Sequence, residues 1–259
     1  MVKKNKTLQK VLVVIGLGVI SLLMVYPFLR LHQIAVCSDW AFHASRAEQI
    51  YDNLKEGHVL TYIATSTFGG VGTGSFLFYP TVFLYPWVIF RFFVSPIMAY
   101  MLFLIFIFWL TLSISYFSMY SLSNSRLRSY LFALIYSIAP YHLYLGITNN
   151  VLGEFIAYSF LPLVFLAIYN ILYLNKSSWK LLGIGMALLL YSHLVSVMIT
   201  IEFLMLILIM YLIFHGKLSG KQLKNLMRAI CLTILLSMFV VVPFITDYIG
   251  KNITAPASG

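Results

Sequence analysis

FLFYPTVFLYPWVIFRFF, residues Phe76 to Phe93, is the stretch whose reading decides how the chain threads. It is apolar and about 18 residues long, enough for a helix to cross a bilayer. It also holds Pro80, Pro86, a dense set of aromatic rings and Arg91. Those features suit a helix that lies at the interface or dips in and returns. The distribution of positive charge arbitrates. If the stretch crosses, Arg126 and Arg128, Lys176 and Lys180, and the densest cluster, Lys217, Lys221, Lys224 and Arg228, all fall outside. If it returns without crossing, all of them fall in the cytoplasm, where basic loops belong. The non-crossing reading follows.

The remainder of the chain has the composition of an integral membrane protein. Of its 259 residues 61% are hydrophobic and 9% are charged, against roughly 25% charged in a soluble domain. The formal net charge is +10. The basic residues lie in short clusters between apolar runs, the pattern of loops facing anionic lipid. They do not form the basic face that nucleic acid requires, so no nucleic-acid partner is expected. Cys37 and Cys231 have no metal-ligand spacing, which argues against a disulfide framework or a structural zinc site. Lys3, Lys4, Lys6 and Lys10 precede the apolar run Val11–Leu29. That run is longer than the roughly 7–15 residues of a leader's apolar core, so it reads as a retained first span with its basic end inside.

An all-α polytopic bundle of about seven spans results. The spans fall near Leu8–Leu29, Ile97–Tyr120, Ser129–Leu145, Phe155–Leu174, twice within Leu181–Phe214, and Ala229–Tyr248. As one helix, Leu181–Phe214 would measure about 50 Å, well beyond a hydrocarbon core of about 30 Å. It is expected to break near Tyr191–Ser196. The loops NKSSWK and HGKLSGKQLKNLMR lie inside and GITNNVLGE outside. Residues 1–248 form one membrane module, with an outer loop over 30–96. Residues 249–259 form a polar outer tail, read as the start of a further outer region. Asn252-Ile253-Thr254 matches a glycosylation sequon that matters only in a eukaryotic secretory setting.

Working outward from Phe76, the chemistry concentrates in CSDWAFHASRAEQIYDNLKEG, Cys37 to Gly57, which carries Asp39, Glu48, Asp52 and Glu56. The segment reads as a juxtamembrane helix, with Ser38 or Asp39 as N-cap and Gly57 closing its C-terminus. Ala44, Ala47, Ile50, Tyr51 and Leu54 make an apolar stripe. Asp39, His43 and Arg46, at i, i+4 and i+7, share another face. Glycines 69, 70, 72 and 74 keep the next stretch out of helix. Further polar groups fall at the outer face: Glu154 after Asn149 and Asn150, His193 at an outer turn, and Asp247. Two carboxylates on one side can serve as base and electrostatic partner, or bind a divalent cation such as Mg or Mn. Arg46 can hold a phosphate in bidentate fashion.

Each residue also has a plainer role. Asp39 caps a helix, His43 bonds Asp39, Arg46 snorkels, Glu154 favours a helix dipole, His193 satisfies a turn, and Tyr79 and Tyr85 join an aromatic belt. Glu202, deep in an apolar run, fits none of these.

The pattern D-x-x-x-H-x-x-R over Asp39–Arg46, the glycine run into Phe78–Pro80, and Gly153–Glu154 followed by Leu161–Pro162 resemble a bacterial family. It is known as the 6-pyruvoyl-tetrahydropterin synthase-related membrane proteins. That family is similar in layout to the GT-C membrane glycosyltransferases and to YfhO-type proteins, and the resemblance runs over about Leu8 to Tyr248. It implies a bacterial plasma-membrane protein that moves sugar from a polyprenyl-phosphate donor to a cell-envelope acceptor. Its partners would be membrane lipid and the lipid-linked donor. It implies Asp39 and Glu154 as catalytic acids and His43, Arg46, Tyr79, Asn150 and His193 as substrate-binding neighbours. GT-C enzymes commonly carry more spans and a soluble outer domain, whereas this chain stops at TAPASG. Two other classes compete: a flippase for lipid-linked intermediates, and a non-catalytic membrane scaffold.

Overall fold

The computed structural model describes residues 6–34, 36–37, 39–65 and 72–249. Ser38, Gly69, Gly70, the tail and the sequon at Asn252 lie outside these. The chain divides into two compact units interleaved in sequence: Met1–Ala47 with Leu84–Leu166, and Glu48–Phe83 with Ala167–Gly259. The regular elements among the described residues are all helices, apart from a single antiparallel bridge between Ala64 and Thr73. Among them, five stretches are long and apolar enough to cross a membrane: Thr7–Leu31, Pro96–Ser123, Leu152–Leu172, Leu194–His215 and Gly220–Thr246. Arg126–Ser137 with Pro140–Thr148, bent by 50°, makes a sixth if the pair is one span.

In the first unit, α1 (Lys6–Leu31) packs against α5 (Pro96–Ser123). The pairing is antiparallel, and three contacts fix its register. The Trp109 indole donates to the Val14 carbonyl at 3.1 Å. Val13 and Leu17 pack with Leu112, Tyr116 and Ala133. The Arg126 guanidinium donates to the Gln9 carboxamide, just beyond the end of α5. The chain therefore enters α5 at the end where it left α1. The stretch Phe76–Phe93 is not one continuous helix. It is broken into α3 (Ser75–Phe78) and α4 (Leu84–Arg91), and eight residues reach only about 12 Å. α4 lies against α5, with the Trp87 ring 4.8 Å from Tyr100 and 5.6 Å from Phe103.

α6 (Arg126–Ser137) folds back on α5 through Asn124, which takes a left-handed conformation at φ 51°. The expected single helix over Ser129–Leu145 does not continue. Pro140 restricts the residue before it, and Ala139 is extended at φ −51°, ψ 133°. α7 (Pro140–Leu143) then runs into a wide π-helical turn, Tyr144–Thr148. α8 (Leu152–Tyr158) and α9 (Leu161–Leu172) follow.

In the second unit the long apolar run breaks at Tyr191–His193, within the expected interval. It gives α10 (Trp179–Leu190) and α11 (Leu194–His215). α12 (Gly220–Pro243) continues as a π-helical turn, Phe244–Ile249, which includes Asp247. α12 starts well before the expected Ala229. The Ser219 hydroxyl accepts from the Gln222 amide N–H, and the Gln222 carboxamide oxygen accepts from the Ser219 N–H at 2.7 Å. This capping box opens the helix early. The expected basic loop shrinks accordingly, and Lys221, Lys224 and Arg228 lie on the first turns of α12. The Gln222 amide also donates to the Leu172 carbonyl at 2.7 Å and the Tyr211 hydroxyl at 2.8 Å. α10 packs against α12 where Gly183 leaves room for Leu232 and the Ala229 carbonyl.

Candidate functional site

The polar helix forms as α2 (Trp40–Lys55). Its C-terminus closes at Gly57, with φ +87°. The Gly57 N–H bonds the Leu54 carbonyl at 3.1 Å and the His58 N–H bonds the Asn53 carbonyl at 2.8 Å. This is a Schellman closure, and the left-handed residue it needs is the glycine. At the other end the Asp39 carbonyl accepts from the His43 N–H at 3.0 Å, which places Asp39 at the N-cap position with its side chain exposed.

The buried face of α2 differs from the expected one. His43 is 2% exposed and Arg46 1%, and both lie in line with buried Ala47 and Ile50. These four recur at i, i+3, i+4 and i+7, a complete helical stripe. Ala44, Tyr51 and Leu54 are only half-buried. His43 and Arg46 thus do not share an open face with Asp39. Long polar side chains have apolar bodies that pack, so counting them as outward-facing misplaces the stripe. The Arg46 guanidinium lies 5.0 Å from the Phe42 ring centroid, within cation–π range.

A brace ties the approach to Asp39 to the approach to Glu154. The Asn150 carboxamide oxygen accepts from the Cys37 N–H at 3.1 Å, and its amide donates to the Tyr100 hydroxyl at 3.1 Å. Asn150 is buried and left-handed, at φ 55°, a conformation asparagine tolerates better than most residues. These bonds fasten its side chain to Cys37 and Tyr100.

Glu154 lies in the first turn of α8 and accepts a 2.5 Å bond from the Tyr141 hydroxyl. Behind this pair is an aromatic stack. The buried His142 ring is 4.7 Å from Phe155 and 4.4 Å from Tyr158, nearly parallel to both. Its Nδ1 meets the Ser137 carbonyl at 2.9 Å. Tyr136 and Tyr158 stack at 4.3 Å, and each hydroxyl donates to the other's carbonyl. Gly146 faces Phe155 so closely that a Cβ would come within 2.4 Å of the ring. The turn carrying Glu154 is therefore set by packed rings. Tyr141 and His142 escape a sequence reading because a tyrosine and a lone histidine beside Pro140 look like interfacial residues. The proline itself, which creates the bend, is the one usable signal.

The other two expected site residues belong to the second unit. Tyr79 closes α3, its N–H bonding the Ser75 carbonyl at 3.0 Å, and is half-buried. His193 is the N-cap of α11: its Nδ1 accepts from the Ser196 N–H at 3.3 Å and lies 2.9 Å from the Ser196 hydroxyl. Among the described residues no three His, Cys, Asp or Glu side chains cluster as metal ligands. In this unit the polar groups of α2 fasten the loop that follows. Gln49 donates to Asn53, Asn53 to Thr61 and Thr65 to Gln49, at 3.0, 2.9 and 3.3 Å.

The chain matches no protein-family model and no curated protein.

Proposed function

We propose that this is a GT-C-like membrane glycosyltransferase that takes sugar from a polyprenyl-phosphate donor at the outer face of a bacterial plasma membrane. The observation that carries the reading is the Asn150 brace, which fastens the segment entering Asp39 to the segment entering Glu154. The proposed topology has seven spans, counting the bent α6–α7 pair as one and α10 as another. The basic start of α1 lies inside. Because α1 and α5 are antiparallel and Gln9 meets Arg126, Arg126 and Arg128 share that side. The end of α1, the start of α5 and Asn150 then lie together outside, with both acids.

In the proposed reaction the Asp39 carboxylate takes the proton of an acceptor hydroxyl. That oxygen bonds the anomeric carbon of the donor sugar. The bond from that carbon to the phosphate oxygen breaks, and the polyprenyl phosphate leaves with its electron pair. Glu154, held by Tyr141, supplies the second charge. Arg46 and His43 act from the buried stripe of α2 and not from the open face that carries Asp39. A divalent cation such as Mg or Mn would bind through donor phosphate oxygens and one or two carboxylates, the usual habit of hard cations.

Reconstituted protein given polyprenyl-phosphate sugars and an envelope acceptor tests the proposal. Asp39→Asn should lower transfer by about 10²–10⁴-fold, the range for a lost general base. Unchanged transfer in that variant rules out the role given to Asp39.

One observation favours a second reading. The 50° bend between α6 and α7, with its π-helical turn, has the broken-helix form found at transporter binding sites. A flippase would move a labelled lipid-linked intermediate across a vesicle membrane without changing it chemically.

A further inference from the structure

The sugar-transfer reading leaves unused a feature confined to the second unit. An apolar cavity of about 420 Å³ opens between helices there. Leu204 and Leu208 of α11, Leu226 and Ile230 of α12, and Leu182 and Met186 of α10 line it. The Thr233 hydroxyl at its wall already donates to the Ala229 carbonyl at 2.9 Å and lies 3.3 Å from the Gly183 carbonyl. The cavity thus asks for a hydrocarbon surface and offers a polar ligand nothing.

Beside it, next to the lining residue Ile201, is Glu202. Its side chain is exposed, and so are Met198, Ile199, Phe203, Leu206 and Ile209 around it. α11 is long and apolar enough to cross a membrane, and Glu202 lies eight residues, about 12 Å, from its start at Leu194. A carboxylate at that depth facing lipid is rare, because such groups turn inward or pair.

The three possible occupants of this face differ in what they offer Glu202. A lipid tail would fill the cavity and leave the carboxylate without a partner. The long apolar helices of a second copy of this chain would bring no Lys or Arg, since residues 11–29, 96–125, 129–175, 181–216 and 229–250 hold none, and the histidines within them are stacked on tyrosines (His142, His215) or cap α11 (His193). A foreign transmembrane helix with a basic side chain satisfies both the cavity and the charge. We propose that the α11–α12 face receives a membrane-spanning helix of a different protein, bearing Lys or Arg at the depth of Glu202. This inference needs α11 to cross the membrane and does not depend on the sugar-transfer reading.

The test uses the full chain in phosphatidylcholine vesicles, labelled at Cys37 in a Cys231→Ser background. Energy transfer is measured to a 22-residue polyleucine helix with Lys at position nine, and to its all-leucine counterpart. The Lys peptide should associate about tenfold more tightly, the scale of one interhelical polar contact. Glu202→Gln should erase that margin, with helicity by circular dichroism unchanged. Equal association of both peptides, or a margin that survives Glu202→Gln, would overturn the proposal. So would strong transfer between two copies of the chain that is lost in Glu202→Gln, which would make the face a homodimer seam.

Discussion

Asn150 carries more of the candidate site than either acid. It satisfies the Cys37 N–H and the Tyr100 hydroxyl from one buried side chain. Asn150→Ala should lower stability by about 1–3 kcal/mol, because buried polar groups lose their partners. A thermal melt in detergent checks it, and a melting temperature equal to wild type would show the brace to be dispensable. Gly146→Ala should cost about 1–3 kcal/mol by overpacking against Phe155, and a second change, Phe155→Leu, should restore part of the loss. Adding the two separate effects with no recovery would mean that the clash lies elsewhere. At this scale the sequence shows which residues are polar and not which of them are buried. Asn150 stands out as polar between apolar runs, but its bonds to Cys37 and Tyr100 join segments distant in sequence. His43 and Arg46 look outward-facing because polarity is taken for exposure, and only the packed helix shows otherwise. His142 carries no pattern at all, since its stack is assembled from α7 and α8.

At the scale of elements, the ends of helices govern the layout. Gly57→Ala should destabilise α2 by about 1–2 kcal/mol, the penalty for a left-handed L-residue. The melt should show it, whereas Gly16→Ala, in open space on α1, should not. Length alone makes the break after α10 legible, because no bilayer accommodates 34 apolar residues as one upright helix. The start of α12 is harder to place. Its Ser219-x-x-Gln222 signature is present in the sequence, but the lysines around it suggest a loop. The bend at Ala139 is legible only by giving Pro140 more weight than the surrounding hydrophobicity.

For the whole molecule, the pairing of α1 with α5 is the decisive contact. Gln9→Cys with Arg126→Cys should be bridged by a bifunctional thiol reagent, since the contact is between the ends of two long side chains, and an impermeant thiol reagent applied to sealed cells should miss both positions. Labelling of either from outside would overturn the proposed topology. Charge bias alone favours the proposed arrangement, since every basic cluster after the first span gains from it. The interleaving of two units is not legible in the sequence, because it depends on contacts between distant segments that no local pattern records.

The bond from Trp109 to Val14 spans 95 positions of the chain. A ribosome adding roughly 5–20 residues per second needs some 5–20 s to supply the indole after the carbonyl has been made. Throughout that interval the first helix waits in the insertion machinery without its mate. Biogenesis is therefore most exposed early: slowing translation just ahead of codon 109 should lengthen the wait and route more of the newborn chain to quality-control proteolysis.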